Sequence, residues 1–126
     1  MVSRRWVSEE TVLLEMERLN DLSLSKVQEY DQAAVKAAEA EALHKALRAK
    51  RALLAKANGV RSISEAELTA EADDDVADAY LQRLVTAAQA DAIKEALRSI
   101  RTNQDGLRTA AASHRAPING PGWQAT

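Results

Sequence analysis

Two parallel stripes of residues, one apolar and one basic, run along the C-terminal half of the chain. The apolar stripe has spacings of four, three, seven and four residues, with Gln104 in the missing step, and the basic stripe repeats it one residue later. One residue corresponds to about 100° around an α-helix, so the spacing predicts a long helix that packs on a partner and exposes cations beside the contact. The apolar residues are Ile93, Leu97, Ile100, Leu107 and Ala111, and the basic residues are Lys94, Arg98, Arg101, Arg108 and Arg115.

The N-terminal half predicts two more helices. A short amphipathic helix begins at Ser8, a residue type that caps helices, and the polar residues from Asn20 to Ser25 interrupt it. A long second helix follows from about Leu24 to Asn58, where Asn58-Gly59 is a C-capping signal. The expected inward side chains are Val12, Leu13, Met16 and Leu19 in the first helix, and Val27, Tyr30, Ala34, Leu43, Leu47 and Leu54 in the second.

The middle of the chain predicts a short connecting helix before the last long one. Ser64-Glu65-Ala66-Glu67 is a capping-box pattern that begins the connecting helix, and Asp73-Asp74-Asp75 ends it and caps the next. The last helix is expected from about Val76 to Ala116. Its apolar residues Val76, Tyr80, Leu84 and Ala88 step by four, which implies a stutter near residues 88–92 where the stripe changes to alternating threes and fours. Pro117 and the glycines after it predict that residues 117–126 are a flexible tail.

These elements predict an all-α fold without strands. The two long helices form an antiparallel hairpin with short N-terminal and connecting helices, in a single domain of residues 1–116. Nearly half of the hydrophobic residues are Ala, and Phe is absent. A monomer of this composition buries a thin core, so we expect the hairpins to assemble into a homo-oligomer.

Charge is segregated along the chain although the net charge is only −2. Residues 45–61, which include the end of the second helix, have six bases and no acid, and the segment of residues 65–78 that follows has seven acids and no base. The hairpin brings the two segments together, so some of these charges neutralise each other. The remaining cations and the basic stripe suit a polyanion, and they also suit a solvated helix face with salt bridges. The candidate nucleic-acid-binding residues are Lys45, Arg48, Lys50, Arg51, Lys56, Arg61, Lys94, Arg98 and Arg101.

Several other chemistries lack a sequence signal. The chain has no Cys and no Gly-rich phosphate loop, and His44 and His114 lack the spacing of metal ligands, so we expect no metal, no cofactor and no enzymatic activity. Consecutive aspartates point in different directions on a helix, which favours capping over cation binding for Asp73–Asp78. No apolar run or signal peptide predicts a membrane segment. Trp6 and Trp123 lie in the terminal arms.

A family resemblance rests on a short motif and its surroundings. Ser64-Glu65, six residues, and then Ala72-Asp73-x-Asp75-Val76 follow a Lys/Arg-rich helix and precede a long helix that contains Ala92-Ile93-Lys94. Over residues 31–115 this arrangement resembles the UvsY-type recombination mediators of bacteriophages. The resemblance implies a helical protein that forms a ring in the cytoplasm of a bacterial host, binds single-stranded DNA, and loads a recombinase onto DNA covered by single-strand binding protein.

The resemblance also implies which residues contact DNA. The basic end of the first long helix contributes to binding in that family, and Lys45, Arg48, Lys50 and Arg51 occupy the matching stretch. The chain lacks the aromatic residues that follow the basic segment in the family, so phosphate contacts would supply most of the affinity. Two alternatives stay open: a structural or adaptor helical oligomer without nucleic-acid binding, such as a virion or scaffold component, and a general double-strand binder.

Overall fold

The computed structural model describes the backbone of residues 8–124 and the side chains of residues 8–113. This part of the chain contains three α-helices and no strand: α1 (Glu9–Ala57), α2 (Ile63–Glu71) and α3 (Asp74–Gln124). The all-α prediction is confirmed. The described residues divide into two compact units, one made of the chain up to Gln28 and from Lys94 onward, the other of Glu29–Ile93. Both α1 and α3 contribute to each unit.

The helix ends follow the capping chemistry of the sequence at three of four sites. The Ser8 hydroxyl accepts the N–H of Thr11 at 2.9 Å and caps α1, as predicted. At the other end of α1, Gly59 has a φ of +104°, and the N–H of Val60 donates to the carbonyl of Ala55 at 3.1 Å. This Schellman ending confirms the Asn58-Gly59 signal.

The cap of α2 differs from the predicted one. The N-cap is Ser62, whose hydroxyl accepts the N–H of Glu65 at 3.0 Å, so the prediction of Ser64 was wrong by two residues. Ser62 and Glu65 satisfy the same Ser-x-x-Glu spacing as Ser64 and Glu67, so the pattern alone does not separate the two registers. Asp73 caps α3 as expected, because its Oδ1 accepts the N–H groups of Asp75 at 2.9 Å and Val76 at 3.2 Å.

Two predicted helix boundaries do not exist. The short N-terminal helix and the long second helix form the single helix α1, which continues through Asn20 and the serines after it. These residues cost well under 1 kcal/mol each in a helix interior, and tertiary packing offsets that cost. The last helix extends past Ala116 to Gln124. A helix can continue past a proline because the φ that proline fixes is one that helices use, although proline donates no backbone hydrogen bond. The backbone of residues 117–124 is part of α3, and the flexibility of residues 117–126 stays a prediction.

The inward faces of α1 and α3 repeat every three and four residues without interruption, so the predicted stutter near residues 88–92 was wrong. Tyr80 and Leu84 are about half exposed, and Ala79 and Arg83 take the inward positions instead. Four predicted inward residues of α1 are likewise exposed, contrary to prediction: Leu13, Val27, Leu43 and Leu54. The positions of this repeat are 12, 16, 19, 23, 26, 30, 33, 37, 40, 44, 47 and 51 in α1, and 76, 79, 83, 86, 90, 93, 97, 100, 104, 107 and 111 in α3. Positions 15, 34, 41, 48, 52, 55, 96 and 110 are also buried or half-buried.

Each unit has its own core. In the unit that contains the start of α1 and the end of α3, Val12 and Leu19 pack with Ile100, Leu107 and Ala111. This packing confirms the predicted apolar stripe. Gln104 occupies the missing step and donates a hydrogen bond of 2.9 Å to the Asn20 side chain. The Glu29–Ile93 unit buries Ala55, Ala66, Ala70, Val76, Ala79, Ala90 and His44. This core of small side chains agrees with the thin core expected from the composition.

Candidate nucleic-acid interface

The basic end of α1 lies against the acidic residues that follow it. The Arg48 guanidinium lies 3.2 Å from the carboxylate of Glu67 and 3.0 Å from that of Glu71. Arg51 forms ion pairs with the carboxylates of Asp73 and Asp75. The predicted juxtaposition of the two charged segments is therefore confirmed, and both arginines hold acidic partners within the chain.

Arg51 is tied to the start of α3. Its Nε lies 3.1 Å from Oδ2 of Asp73 and its Nη2 lies 3.0 Å from Oδ2 of Asp75. Burial by itself would raise the pKa of Asp73, but the N–H of Val76 and the charge of Arg51 outweigh it and hold that pKa below its ordinary value. Asp73 thus caps α3 through one oxygen and binds α1 through the other.

The other basic residues of this segment are more accessible. Lys45 is exposed and pairs with Glu41 one turn earlier on the same helix at 2.8 Å. The Lys56 ammonium donates to the backbone carbonyl of Arg61 at 3.1 Å, so its charge has no carboxylate partner in residues 8–113. Lys50 and Arg61 are exposed, and no described residue forms an ion pair with either.

A groove of about 770 Å³ lies between α1 and α2, with Arg83 of α3 also in its lining, and some of these basic residues line it. Its charged side chains are four cations, Lys45, Arg48, Lys56 and Arg83, and one carboxylate, that of Glu67, which Arg48 binds. Lys50, Arg51 and Arg61 do not line it. The rest of the α1–α2 groove is His44, Ala49, Ala52, Leu53, Ile63 and Ala66. The lining therefore combines basic and apolar side chains, and of its four cations Lys56 alone has no carboxylate partner in residues 8–113.

Three residues that the sequence analysis did not connect meet beside this groove. The rings of His44 and Tyr80 pack at a centroid distance of 5.1 Å and an angle of 49°. Arg83, one turn after Tyr80 on α3, places Nη1 3.1 Å from Nδ1 of His44, and its Nη2 lies 3.6 Å from the carboxylate of Glu41. They line a cleft of about 490 Å³, the Tyr80 cleft, together with Arg48, Glu71, Val76 and Ala77. Because His44 and Tyr80 are 36 residues apart, only the fold brings them together.

His44 is the one polar side chain described as buried, with 8% of its surface exposed. Burial lowers the pKa of His44 below its usual value of 6.5, and the charges of Arg83 and Arg48 lower it further. Near neutral pH, Nδ1 therefore lacks a proton and accepts the hydrogen bond from Arg83. The imidazole fixes both the Arg83 guanidinium and the Tyr80 ring.

The basic stripe of α3 belongs to the other unit. Lys94, Arg98, Arg101 and Arg108 are exposed on the flank of the buried residues Leu97, Ile100 and Leu107, as the spacing predicted. Arg98 pairs with Glu95 and Arg108 with Asp105, each at 2.7 Å on the same helix. Lys94 and Arg101 form no ion pair with any residue in 8–113. Arg115, His114, Trp6 and Trp123 lie outside the described side chains.

Metal binding and membrane crossing have no structural signal in the described residues. None of the His and acidic side chains described forms a group of three that could hold a metal ion. Within the same part of the chain, every helix falls short of the length and apolarity that a membrane span requires. Comparison with protein-family models, curated proteins and solved structures gives no match.

Proposed function

We propose that the protein binds single-stranded DNA and acts as a recombination mediator. The observation that carries this proposal is the α1–α2 groove, whose lining brings four cations and one carboxylate together with apolar side chains. Single strands require this combination, since cations contact the phosphates and apolar or aromatic surface receives the bases. The acidic net charge does not oppose such binding, because contact depends on local charge at short range.

The ion pairs change the roles that we assign to the arginines. Arg48 and Arg51 bind the carboxylates of Glu67, Glu71, Asp73 and Asp75, so we assign them to holding α2 and the start of α3 against α1. Lys45 and Lys56 then contact phosphates in the groove. Lys50 and Arg61 are accessible outside the groove in the same unit, and we assign Lys94, Arg98 and Arg101, which are exposed in the other unit, to further phosphate contacts.

The remaining parts of the proposal rest on the resemblance to UvsY-type mediators. The long helices form an antiparallel hairpin, for which the Glu29–Ile93 unit gives local support: Arg51 contacts residues near Asp74, and His44 contacts Tyr80 and Arg83 further along α3. Several hairpins assemble into a ring, and the ring loads a recombinase onto DNA that a single-strand binding protein covers, in the cytoplasm of a bacterial host. Multiple grooves in one assembly strengthen weak phosphate contacts through avidity.

A salt titration tests DNA binding. The measurement is fluorescence anisotropy of a labelled single-stranded oligonucleotide with wild-type protein and with the double variant Lys45→Gln, Lys56→Gln. We expect wild-type affinity to fall steeply with salt, and the logarithmic slope to decrease by about 0.7 for each phosphate that the variant no longer neutralises. The double variant Arg18→Gln, Lys36→Gln removes two exposed charges of α1 outside the groove and is the control. Absence of binding at physiological salt, or an equal decrease of affinity in both variants, contradicts the proposal.

A second candidate function is an adaptor or scaffold oligomer without nucleic-acid binding. The observation that favours it is an exposed stripe on α1, the outer stripe, whose members are all apolar. They are Val35, Ala38, Ala42, Ala46, Ala49 and Leu53, and the last two also line the α1–α2 groove. Exposed apolar stripes of this kind mark protein contacts. The salt titration separates the two functions, because an adaptor of this kind leaves the oligonucleotide free.

A further inference from the structure

Tyr80 presents a half-exposed aromatic ring in a cleft that Arg48, Arg83 and Glu71 also line. About half of its surface, 48%, is exposed, although the ring contacts His44. A large aromatic side chain exposed beside Arg83 and Arg48 contributes little to the core of the Glu29–Ile93 unit. Its surroundings resemble what a nucleotide requires, namely a π-face next to positive charge.

The ring is held in place from one side. His44 is buried and packs on Tyr80 at 5.1 Å, and Arg83 fixes the imidazole by a hydrogen bond of 3.1 Å. These contacts favour one orientation of the Tyr80 ring in the protein without ligand, which lowers the entropy cost of binding. Arg83 can also reach a ligand, because a guanidinium has five N–H donors and the contacts with His44 and Glu41 use two of its nitrogens.

We propose that Tyr80 is a stacking platform for an unpaired base, with Arg83 at the adjacent phosphate. The inference rests on the proposed binding of single-stranded DNA and names the residue that makes it selective for single strands. Bases in a duplex already stack on their neighbours, so only an unpaired base can turn toward the ring. The aromatic platform that the sequence lacks after its basic segment is thus supplied by α3.

The test compares two ligands of equal charge. One is a single-stranded oligothymidylate, and the other is an oligonucleotide of the same length whose sugars are abasic, so it offers phosphates without bases. Anisotropy titrations use the wild-type protein, Tyr80→Leu and Tyr80→Phe. The control is Leu84→Ala, since Leu84 is an exposed apolar residue one turn away on the same helix, with 49% of its surface exposed.

We expect Tyr80→Leu to bind oligothymidylate about 5- to 150-fold more weakly than wild type, the range that stacking of one base supplies. Tyr80→Phe should keep wild-type affinity, because the π-face remains and none of residues 8–113 forms a hydrogen bond with the hydroxyl. All variants should bind the abasic strand alike, and Leu84→Ala should bind both strands as wild type does. Circular dichroism confirms that each variant keeps its helix content.

Three outcomes overturn the inference, and they differ in what they say about the proposed function. Equal affinity of wild type and Tyr80→Leu for oligothymidylate removes the stacking role and leaves DNA binding intact. An equal decrease of affinity for the abasic and the base-bearing strand means that Tyr80 acts on the phosphate site or on folding and not on bases. Failure of the wild-type protein to bind either strand removes both the stacking role and the proposed function.

Discussion

His44 is an imidazole at an inward heptad position where a coiled coil usually has an apolar side chain. Its ring packs on Tyr80 and its Nδ1 accepts a hydrogen bond from Arg83. Arg83 and Arg51 occupy further inward positions of the same unit. Polar side chains at such positions reduce stability and fix the register of two helices, because each requires a particular partner across the contact.

His44 makes stability depend on pH. Burial and the neighbouring arginines lower the pKa of the folded-state imidazole, so below about pH 6.5 the unfolded chain takes up a proton that the folded chain does not. The free energy of unfolding therefore carries no penalty from His44 well above about pH 6.5. It falls as the pH drops from about 6.5 to the lowered pKa of the folded protein, and it levels off below that pKa. Thermal unfolding followed by circular dichroism between about pH 7.5 and about pH 5.5 measures the effect.

The variant His44→Gln is the control, because glutamine can accept the hydrogen bond from Arg83 and does not titrate. Its melting temperature should change less over the same pH range than that of the wild type. The carboxyls of Glu15 and Glu41 have a pKa below 4.5 because they accept hydrogen bonds from Arg18 and Lys45, so they do not titrate in this window. An equal fall in both proteins would assign the effect to other groups.

At the scale of elements, the helix ends are more predictable than the helix interiors. Ser8, Gly59 and Asp73 act at helix ends through contacts with their own neighbours in sequence, so their roles follow from local chemistry. The continuity of α1 through Asn20 depends on packing between distant segments, including the hydrogen bond from Gln104. A sequence pattern that scores only residue type predicts a break there.

The contrast between local chemistry and packing also explains which inward helix faces were predicted correctly. Large residues mark the inward face at Leu97, Ile100 and Leu107, and that stripe was predicted correctly. In the Glu29–Ile93 unit the inward positions carry Ala79, Arg83 and other small or polar residues. A prediction from the spacing of the large side chains therefore chose the wrong face of α3 as the inward one. The Tyr80 cleft could not be predicted, because it joins residues of α1 and α3 that lie far apart in sequence.

Ser62 tests the identity of the α2 cap. Replacing it by Ala removes the acceptor for the N–H of Glu65, so Ser62→Ala should lower the free energy of unfolding by about 1 kcal/mol. Ser64→Ala is the matched control, since Ser64 is the cap that the sequence favoured, and it should change stability by only a few tenths of a kcal/mol. Urea denaturation followed by circular dichroism measures both. A larger destabilisation by Ser64→Ala would return the cap to the predicted register.

At the scale of the whole molecule, apolar side chains are distributed unevenly between the inside and the surface. The core of the Glu29–Ile93 unit consists mostly of alanines, yet several large apolar residues of the same unit are exposed. α1 exposes the outer stripe and α3 exposes Ala77, Leu81, Leu84 and Ala88 on one face. Burial of a methylene is worth about 0.8 kcal/mol, so covering these faces would add stability to that of the thin core.

Self-association through the outer stripe predicts a mass above that of one chain of 13.7 kDa. The double variant Ala42→Glu, Ala46→Glu places two carboxylates in the centre of the stripe, where their burial without partners is unfavourable. We expect this variant to have a smaller mass in size-exclusion chromatography with light scattering while it keeps its helix content. Ala112→Glu introduces the same side chain at an exposed position of the other unit and should assemble as wild type does. If the wild-type protein has the mass of one chain, the outer stripe does not join copies, and avidity cannot strengthen the phosphate contacts of the α1–α2 groove.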